Sequence, residues 1–554
     1  MSFPSNTRGA VACEIRLASD VGAQILKEGG SAADTIIATT LAVGTVVSYH
    51  AGIGGGGFAI VKEPDGDYQS LDFRSAAPAA LTSDLLLGKP GATGVGGLSI
   101  AVPGELRGFE ELHKRYGKLP WKRLFQPSIQ LARNGFTLTE DLLHLIRTRP
   151  IPHDAPESDR DSYSWIHKHP VLGPMYTKDG LFLPIGATIT RPNFARTLEL
   201  IADQGVDVFY QGELARGIVD AVNAEGGVLT LGDMKNYRVH QTKPLSLTYK
   251  GKFKVTTSSA PASGGILLLA LNILSNYTDV GGPGSIVDSH RMIESLKFAF
   301  AHRALLGDTE FVTGLENLQE QFLKPEFGRA LHSKILEDST LSSEAYDTSG
   351  LQPSREDHGT SSIVVADSNG LVIAITTTLT LWWGSRIVVP SSDIVLNDSI
   401  EDFSVEGQSN HFGYRPTPAN FVKGNKRPLS SSSPFIIEDV HGQFRYAGGA
   451  AGGSRIISCN VQQARNVMDY GMNAAQALAH QRVHDQLSPD ETHLETGRFE
   501  KDLAVNLDKM GHKIKWLPKA ESVGCGISYD PHTGVYHAEG EPRLLGSGGR
   551  IVKI

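Results

Sequence analysis

HGTSSIVVADSNGLVIAITTT, residues 358–378, is the stretch on which the fold turns. Ser362 to Ala366 and Leu371 to Thr378 are β-branched and apolar, and Asp-Ser-Asn-Gly separates them. Asn369-Gly370 is the strongest short-range hairpin signal, because both central residues of the tight turn need left-handed backbone. Upstream, DSTLSSEAYDTSGLQPSREDHG (338–359) is polar, Ser-rich and poor in large apolar side chains, so it is expected to be exposed and mobile. A polar loop therefore runs into a buried hairpin at Gly359-Thr360. A threonine hydroxyl is a poor nucleophile until a base lies beside it, and an N-terminal threonine carries its own base, the α-amine. That amine titrates near 7.7–8.0, far closer to neutrality than a lysine. Exposing it requires cleavage of the Gly359–Thr360 bond, and Gly359, lacking a side chain, tolerates strained backbone. By spacing alone Gly-Thr is a common dipeptide, and it does not single out this chemistry.

Outward from the hairpin the pattern alternates between helices and sheets. Leu17, Val21 and Ile25 recur at helical spacing and Gly29-Gly30 ends the run; Ser31 with Asp34 reads as the capping box of a second helix towards Val43. Helical patterns cover about 105–116, 122–134, 193–204 and 286–306, the last with Ile293, Leu296, Phe300 and Ala304 in one stripe. GILLLALNIL (265–274) is about half the length of a membrane span and reads as a buried helix. Further hairpins are expected at 434–449 and 526–540. Sheets covered by helices give an α+β, layered fold.

The chain has 554 residues, 40% of them apolar and 20% charged, which excludes disorder and allows a sizeable core. Net charge −8 argues against an electrostatic nucleic-acid binder. Cys13, Cys459 and Cys525 are few and far apart, so no disulfide framework is expected. MSFPSNTRGAVACEIRLASD lacks the apolar core of a secretory signal, and the expectation is a soluble, cytoplasmic protein without membrane contact.

Several motifs invite functions they do not support. GIGGGGF (52–58) contains a formal GxGxxG with Asp72 twenty residues on, but a dinucleotide site needs a strand before the glycines and a helix after. Here a helical pattern precedes and a strand-like FAIV follows, so a close-packing glycine turn is the better reading. The 19 histidines form no zinc-spaced cluster, and no GxSxG elbow occurs. SSSS (430–433) could be a low-complexity linker, yet it abuts a strand-like FII.

Ordered blocks run the length of the chain: LASDVGAQILKEGGSAADTIIAT (17–39), GIGGGGF, LDFRSAAP (71–78), AVPGELRGF (101–109) and HRMIESLKFAFAHRALLGD (290–308). They continue through HGTSSIVVAD (358–367), LNDSIEDFS (396–404), NKRPLSSSSP (425–434) and GGAAGGSRI (448–456). In these the chain resembles the γ-glutamyltranspeptidase family of N-terminal-nucleophile hydrolases. The resemblance implies an αββα sandwich, no cofactor and no metal, and self-cleavage into a large subunit, 1–359, and a small one, 360–554, that remain together as a heterodimer. It implies a γ-glutamyl amide as donor, glutathione or a conjugate of it, and water or an amine as acceptor. Thr360 then corresponds to the processing and catalytic threonine, and Thr378 to a second threonine that hydrogen-bonds it. Gly452 and Gly453 correspond to the oxyanion-hole glycines. Arg74, Ser430 and Ser431 correspond to the clamp on the donor α-carboxylate, and Asp402 to the partner of its α-ammonium.

The match departs in the amino-group pocket. Thr380 stands where the family usually has Asn, and Ser399 where it has Glu or Gln; each substitutes a short hydroxyl for a longer group. Ser75 replaces a frequent acid, and Phe412 a lid residue that is often Tyr. Trp382-Trp383 adds bulk near the pocket, or serves as a pair of core aromatics. Unmade hydrogen bonds of about 1–3 kcal/mol each would weaken γ-glutamyl selectivity. Two rival expectations follow: an acylase for a different acyl group, and a non-catalytic, unprocessed binding protein.

Overall fold

The computed structural model describes residues 7–148, 162–347, 359–407, 416–519 and 521–553. Thirteen strands build two stacked sheets: β1 (Thr7–Cys13), β2 (Gly56–Lys62), β3 (Tyr68–Phe73), β4 (His240–Thr242), β5 (Leu245–Tyr249), β6 (Phe253–Thr257), β7 (Gly359–Asp367), β8 (Val372–Thr380), β9 (Phe435–Asp439), β10 (Phe444–Ala451), β11 (Val523–Asp530), β12 (Val535–Glu539) and β13 (Gly548–Lys553). The first sheet runs β13-β1-β7-β8-β2-β3-β4 and the second β12-β11-β10-β9-β6-β5. The pairs joining neighbouring strands in both are antiparallel.

The expected hairpin is β7–β8, with Thr360 opposite Thr378 and Ala366 opposite Val372. Alternation along β7 and β8 sends Val364, Ala366, Val372 and Ala374 towards the second sheet, where they meet Ile436, Phe444, Ala447 and Ile527. Ile363, Val365, Ile373 and Ile375 face the other way. There they bury the apolar faces of α1 (Arg16–Lys27) and α2 (Ala32–Val46). Ser31 and Asp34 form the expected capping box on α2. On the outer face of the second sheet lie α3 (Gly264–Leu274), α4 (Ile286–Arg303) and α5 (Arg455–Tyr470), whose apolar residues form a separate core. The order of layers is helix, sheet, sheet, helix, as the resemblance implied. The other helical patterns appear as Glu105–Tyr116, Trp121–Asn134 and Pro192–Gln204.

Both sheets mix strands from before and after Gly359. In the first, β1 lies between β13 and β7, and β8 is hydrogen-bonded to β2. A break at 359/360 would fall one residue inside β7, between the Gly359–Thr380 and Thr360–Thr378 pairs, and leave the rest of that ladder intact. The glycine-rich stretch acts as a packing device between a helix and a strand: a Cβ on Gly55 would lie 2.2 Å from the Thr378 carbonyl oxygen, and one on Gly57 2.1 Å from that of Thr376. Asp72, the acid that invited a dinucleotide reading, is buried and pairs with Arg427 at 2.9 Å.

Of the segment expected to be mobile, 338–347 and Gly359 are described. Side chains in 338–347 are exposed or half-buried except Tyr346, whose hydroxyl donates to buried Glu294 (2.6 Å). His358 and Phe412 lie outside the described residues. The three cysteines are free and buried. Among the described residues no helix is long and apolar enough to cross a membrane.

Candidate active site

Thr360 enters β7 on the face that looks towards the second sheet, one residue after the strand begins. Its hydroxyl donates to Thr378 Oγ1 at 3.2 Å. Thr378 Oγ1 in turn donates to the carbonyl oxygen of Gly359 and accepts the Thr380 N–H at 2.8 Å. The carbonyl of the Gly359–Thr360 bond, the candidate nucleophile and a second hydroxyl are therefore linked in one chain of hydrogen bonds. Thr360 and Thr378 are buried, at 3% and 4% exposure.

Across the inter-sheet space, β10 ends in a tight turn before α5. Gly452 and Gly453 have φ of +119° and +61°, a region open to glycine at little cost. Their N–H groups make no hydrogen bond to a described residue. They also precede the N-terminus of a 16-residue helix, so the turn presents donors and a positive dipole end together. Gly452 and Thr360 line the same cavity.

The residues matched to the donor clamp are buried away from that cavity's wall, in two hydrogen-bonded groups. Arg74 is fully buried and donates to Asp402, itself 3% exposed. Asp72 Oδ1 accepts the Arg74 N–H (2.8 Å) and Tyr237 donates to the Arg74 carbonyl (2.8 Å), fixing the backbone on both sides. Ser75 beside it is buried. The SSSS tract is no linker: all four serines are buried, with Ser430 Oγ 3.0 Å from Ser432 Oγ and the Ser430 N–H on the Pro261 carbonyl (2.8 Å). Arg303 donates to Ser431 Oγ at 3.0 Å and to Ser263 Oγ at 3.2 Å.

The two departures from the family pattern touch one another. Thr380 Oγ1 lies 3.0 Å from Ser399 Oγ, so the short hydroxyls satisfy each other. Thr380 has φ of +87°, which is strained for a β-branched residue. Trp382 and Trp383 divide the two roles expected of them: Trp383 is 5% exposed and packs in the helix-side core, whereas Trp382 lines the cavity beside Thr360.

On the opposite face of the same strands, two hydroxyls meet carboxyls from other elements that the motifs did not flag. Ser361 donates to Glu14 and Thr377 donates to Glu105. Burial pushes both carboxyls up to about 8, the serine and threonine hydroxyls opposing the shift. His50 Nε2 lies 3.4 Å from Glu14. Glu14, Glu105, His50, Arg303 and Asn397 were not singled out from the sequence. Glu105, Arg303 and Asn397 fall inside the ordered blocks, which was the signal available. Asn397 donates to the Gly54 (2.7 Å) and Ala101 (2.8 Å) carbonyls and so holds the Asp402 loop against the glycine stretch.

Two groups of described residues have metal-like spacing, buried His290–Glu294–His512 and the turn acids Glu63, Asp65 and Asp67. In the first, the two imidazoles are hydrogen-bonded to each other at 2.8 Å, and the Lys297 ammonium stands 3.8 Å from Glu294. Each of the three side chains thus has a protein partner, Glu294 accepting from Tyr346 and His290 contacting the Leu336 carbonyl.

Comparison with known proteins decides the family. The Gamma-glutamyltranspeptidase family profile matches residues 18–550. The chain belongs to the γ-glutamyltranspeptidase family. The glutathione hydrolase proenzyme of Arthroderma benhamiae is 38% identical over 564 residues, covering 100% of this chain and 94% of that protein. The glutathione hydrolase proenzyme of Escherichia coli K12 is 34% identical over 553 residues, covering 97% and 91%. Among solved structures, cephalosporin acylase from Bacillus halodurans superposes with a TM-score of 0.84 at 26% identity, covering 100% of this chain and 97% of that one. Helicobacter pylori gamma-glutamyltranspeptidase gives 0.53 at 29% identity, covering 59% and 91%. The γ-glutamyltranspeptidase membership and the αββα layering agree.

Proposed function

We propose that this chain is a self-cleaving enzyme that hydrolyses or transfers γ-glutamyl groups, with Thr360 as nucleophile and glutathione or a glutathione conjugate as donor. The observation that carries the reading is the hydrogen-bonded chain from Thr360 Oγ1 through Thr378 Oγ1 to the Gly359 carbonyl. In maturation, Thr360 Oγ1 attacks the Gly359 carbonyl carbon while the Thr378 hydroxyl stabilises the charge growing on its oxygen. The Gly359 acyl group shifts from nitrogen to Oγ1 as the Oγ1 proton passes to that nitrogen, and water hydrolyses the resulting ester. The products are a large subunit, 1–359, and a small one, 360–554, that begins with a free threonine amine.

In turnover that amine takes the Oγ1 proton as the hydroxyl attacks the donor amide. Gly452 and Gly453 donate to the oxyanion, each such donor contributing about 3–4 kcal/mol. The amine proton passes to the departing amine, leaving an ester on Thr360; water or an acceptor amine then releases the acyl group.

The ion pair of Arg74 and Asp402 supports an α-amino-acid donor. A zwitterionic γ-glutamyl head entering between them exchanges one buried pair for two, its carboxylate to Arg74 and its ammonium to Asp402. Ser430 and Ser431, stiffened by Ser432 and Arg303, add donors for the carboxylate. Thr380 and Ser399 edge the ammonium side.

A second reading is favoured by the Thr380–Ser399 pair. The hydroxyls bond one another where the family usually places an amide and a carboxyl or second amide, and the ammonium loses reach on that side. An acylase for a related acyl group without the amine fits that pocket, and the likeness to a cephalosporin acylase is compatible with it. Competition between γ-glutamyl and glutaryl anilides on the mature protein separates the two. The first reading expects the γ-glutamyl anilide to win; equal rates or a glutaryl preference reject it. Intact mass beside a Thr360→Ala variant tests the nucleophile: an uncut wild-type chain would favour a non-catalytic binding protein.

A further inference from the structure

The helix Glu105–Tyr116, whose first residue meets Thr377, turns a charged face away from the sheets. Its sequence ELRGFEELHKRY sets Arg107, Glu110, Glu111 and Lys114 three or four residues apart, hence on one face, with Arg115 beside them. That face borders a cavity of about 420 Å³, which Asp207, Lys235 and Arg238 also line. Buried Leu71 and half-buried Val239 give it a small apolar patch. Neither Thr360 nor Arg74 reaches its wall, so it is separate from the candidate active site. Its volume is that of a ligand site, ~300–1,000 Å³.

The charge in this wall runs against that of the chain. Net charge is −8 overall, yet here five cationic side chains face three carboxyls. Arg107 pairs with Glu110 (2.8 Å) and Asp207 (2.7 Å), Lys114 with Glu110 (3.1 Å) and Arg115 with Glu111 (2.6 Å). Lys235 and Arg238, both exposed, form no ion pair with a described residue. Arg238 is nevertheless held in place: one Nη donates to the Lys235 and Tyr237 carbonyls, each at 2.8 Å. Its Nε and second Nη donate to no described residue. A fixed guanidinium with donors to spare suits a phosphoryl or carboxylate group, and a concave wall concentrates its field.

Two chains of contacts lead from these cations to Arg74. The Arg238 carbonyl accepts from Arg427, Arg427 pairs with Asp72 at 2.9 Å, and Asp72 Oδ1 accepts the Arg74 N–H at 2.8 Å. The Arg107 guanidinium lies 4.6 Å over the Tyr210 ring, and Tyr210 lies near-parallel to Tyr237 at 6.1 Å. The Tyr237 hydroxyl donates to the Arg74 carbonyl at 2.8 Å. Both hydrogen bonds that fix the Arg74 backbone thus end on the segment or the ring that the pocket's cations touch.

We propose that this pocket is an effector site for a small ligand with two or more clustered negative charges, phosphoryl or carboxylate, and that its occupancy is felt at Arg74. The ligand bridges Lys235 and Arg238 and competes with Glu110 and Asp207 for Arg107. The effect on turnover rests on the proposed role of Arg74 in holding the donor carboxylate; the binding itself does not.

The test is titration calorimetry on the purified protein with pyrophosphate, citrate and acetate, at about 0.15 M ionic strength so that only specific binding survives screening. Pyrophosphate or citrate is expected to bind with a Kd below about 1 mM and at least about tenfold more tightly than acetate. A preference between the two names the group as phosphoryl or carboxylate, and equal binding names clustered charge alone. Lys235→Gln and Arg238→Gln should each weaken binding at least about fivefold. Lys515→Gln, the same change of net charge at an exposed lysine outside the wall, should leave it unchanged. No saturable binding of either polyanion, or an equal loss in Lys515→Gln, overturns the site. Saturating ligand should shift KM for a γ-glutamyl anilide at least about threefold in wild type and not in Lys235→Gln. Binding with KM unmoved overturns the link to Arg74. Binding without γ-glutamyl turnover rejects the proposed function and leaves the anion site standing.

Discussion

Replacing Thr378 by valine keeps a β-branched side chain on an interior strand and removes one hydroxyl. That hydroxyl donates to the Gly359 carbonyl, accepts from Thr360 Oγ1 at 3.2 Å and accepts the Thr380 N–H at 2.8 Å. In the processing step the Gly359 oxygen becomes an oxyanion, and loss of one donor to such a charge costs about 2.7–4 kcal/mol, or 10²–10³ in rate. The stranded Thr380 N–H costs about 1–3 kcal/mol of stability, within what a protein of this size tolerates. Self-cleavage is followed by intact mass over time: 59.6 kDa divided in proportion at 359/360 gives pieces of about 39 and 21 kDa. Thr378→Val should mature about 100–1,000-fold more slowly than wild type. Thr378→Ser should stay within about tenfold, since the donor survives. A folded Thr378→Val protein that cleaves at the wild-type rate would refute the assignment of Thr378 to the scissile carbonyl.

Removing one partner of the buried Arg74–Asp402 pair should cost about 3–5 kcal/mol; Asp402→Ala should lower the melting temperature, and Asp402→Asn should raise KM for γ-glutamyl donors. A wild-type KM in Asp402→Asn would remove Asp402 from the site. Thr380→Asn suits the φ of +87° better than threonine does, so it should be neutral or stabilising by up to about 1 kcal/mol in thermal unfolding. Combined with Ser399→Gln it should raise the γ-glutamyl-to-glutaryl rate ratio about tenfold; an unchanged ratio means this edge does not read the ammonium. Glu105, pushed by burial to about 8 from an unfolded value near 4.5, binds its proton more tightly in the native state. Its contribution is intact below about pH 4.5 and lost as pH rises through 8, at most about 1.4 kcal/mol per pH unit. Glu105→Gln should therefore flatten the decline in melting temperature between pH 5.5 and 8.5, and an unaltered slope would exclude that role.

The order of elements was legible in the sequence because it rests on local physics. The β-branched runs around Asn369-Gly370, the capping box at Ser31 and Asp34 and the uniformly apolar 265–274 each declare themselves within a dozen residues. The ordered blocks likewise pointed to the family and to Thr360, Thr378, Gly452 and Gly453 as the residues to examine. Contacts across hundreds of positions were another matter. Glu14 meets Ser361 and His50, Arg303 meets Ser431, and Asp72, plausible as a cofactor acid, instead holds Arg427 and the Arg74 backbone. Thr380 and Ser399 looked like two separate losses until their hydroxyls were found 3.0 Å apart. Adjacent Trp382 and Trp383 were equally apolar in sequence, yet Trp383 has φ of +68° and turns into the core while Trp382 lines the cavity. Pattern and propensity act over a few residues and so decide helix, strand and turn; which buried hydroxyl, carboxyl or ring meets which is decided only when distant strands stack and water is excluded between them.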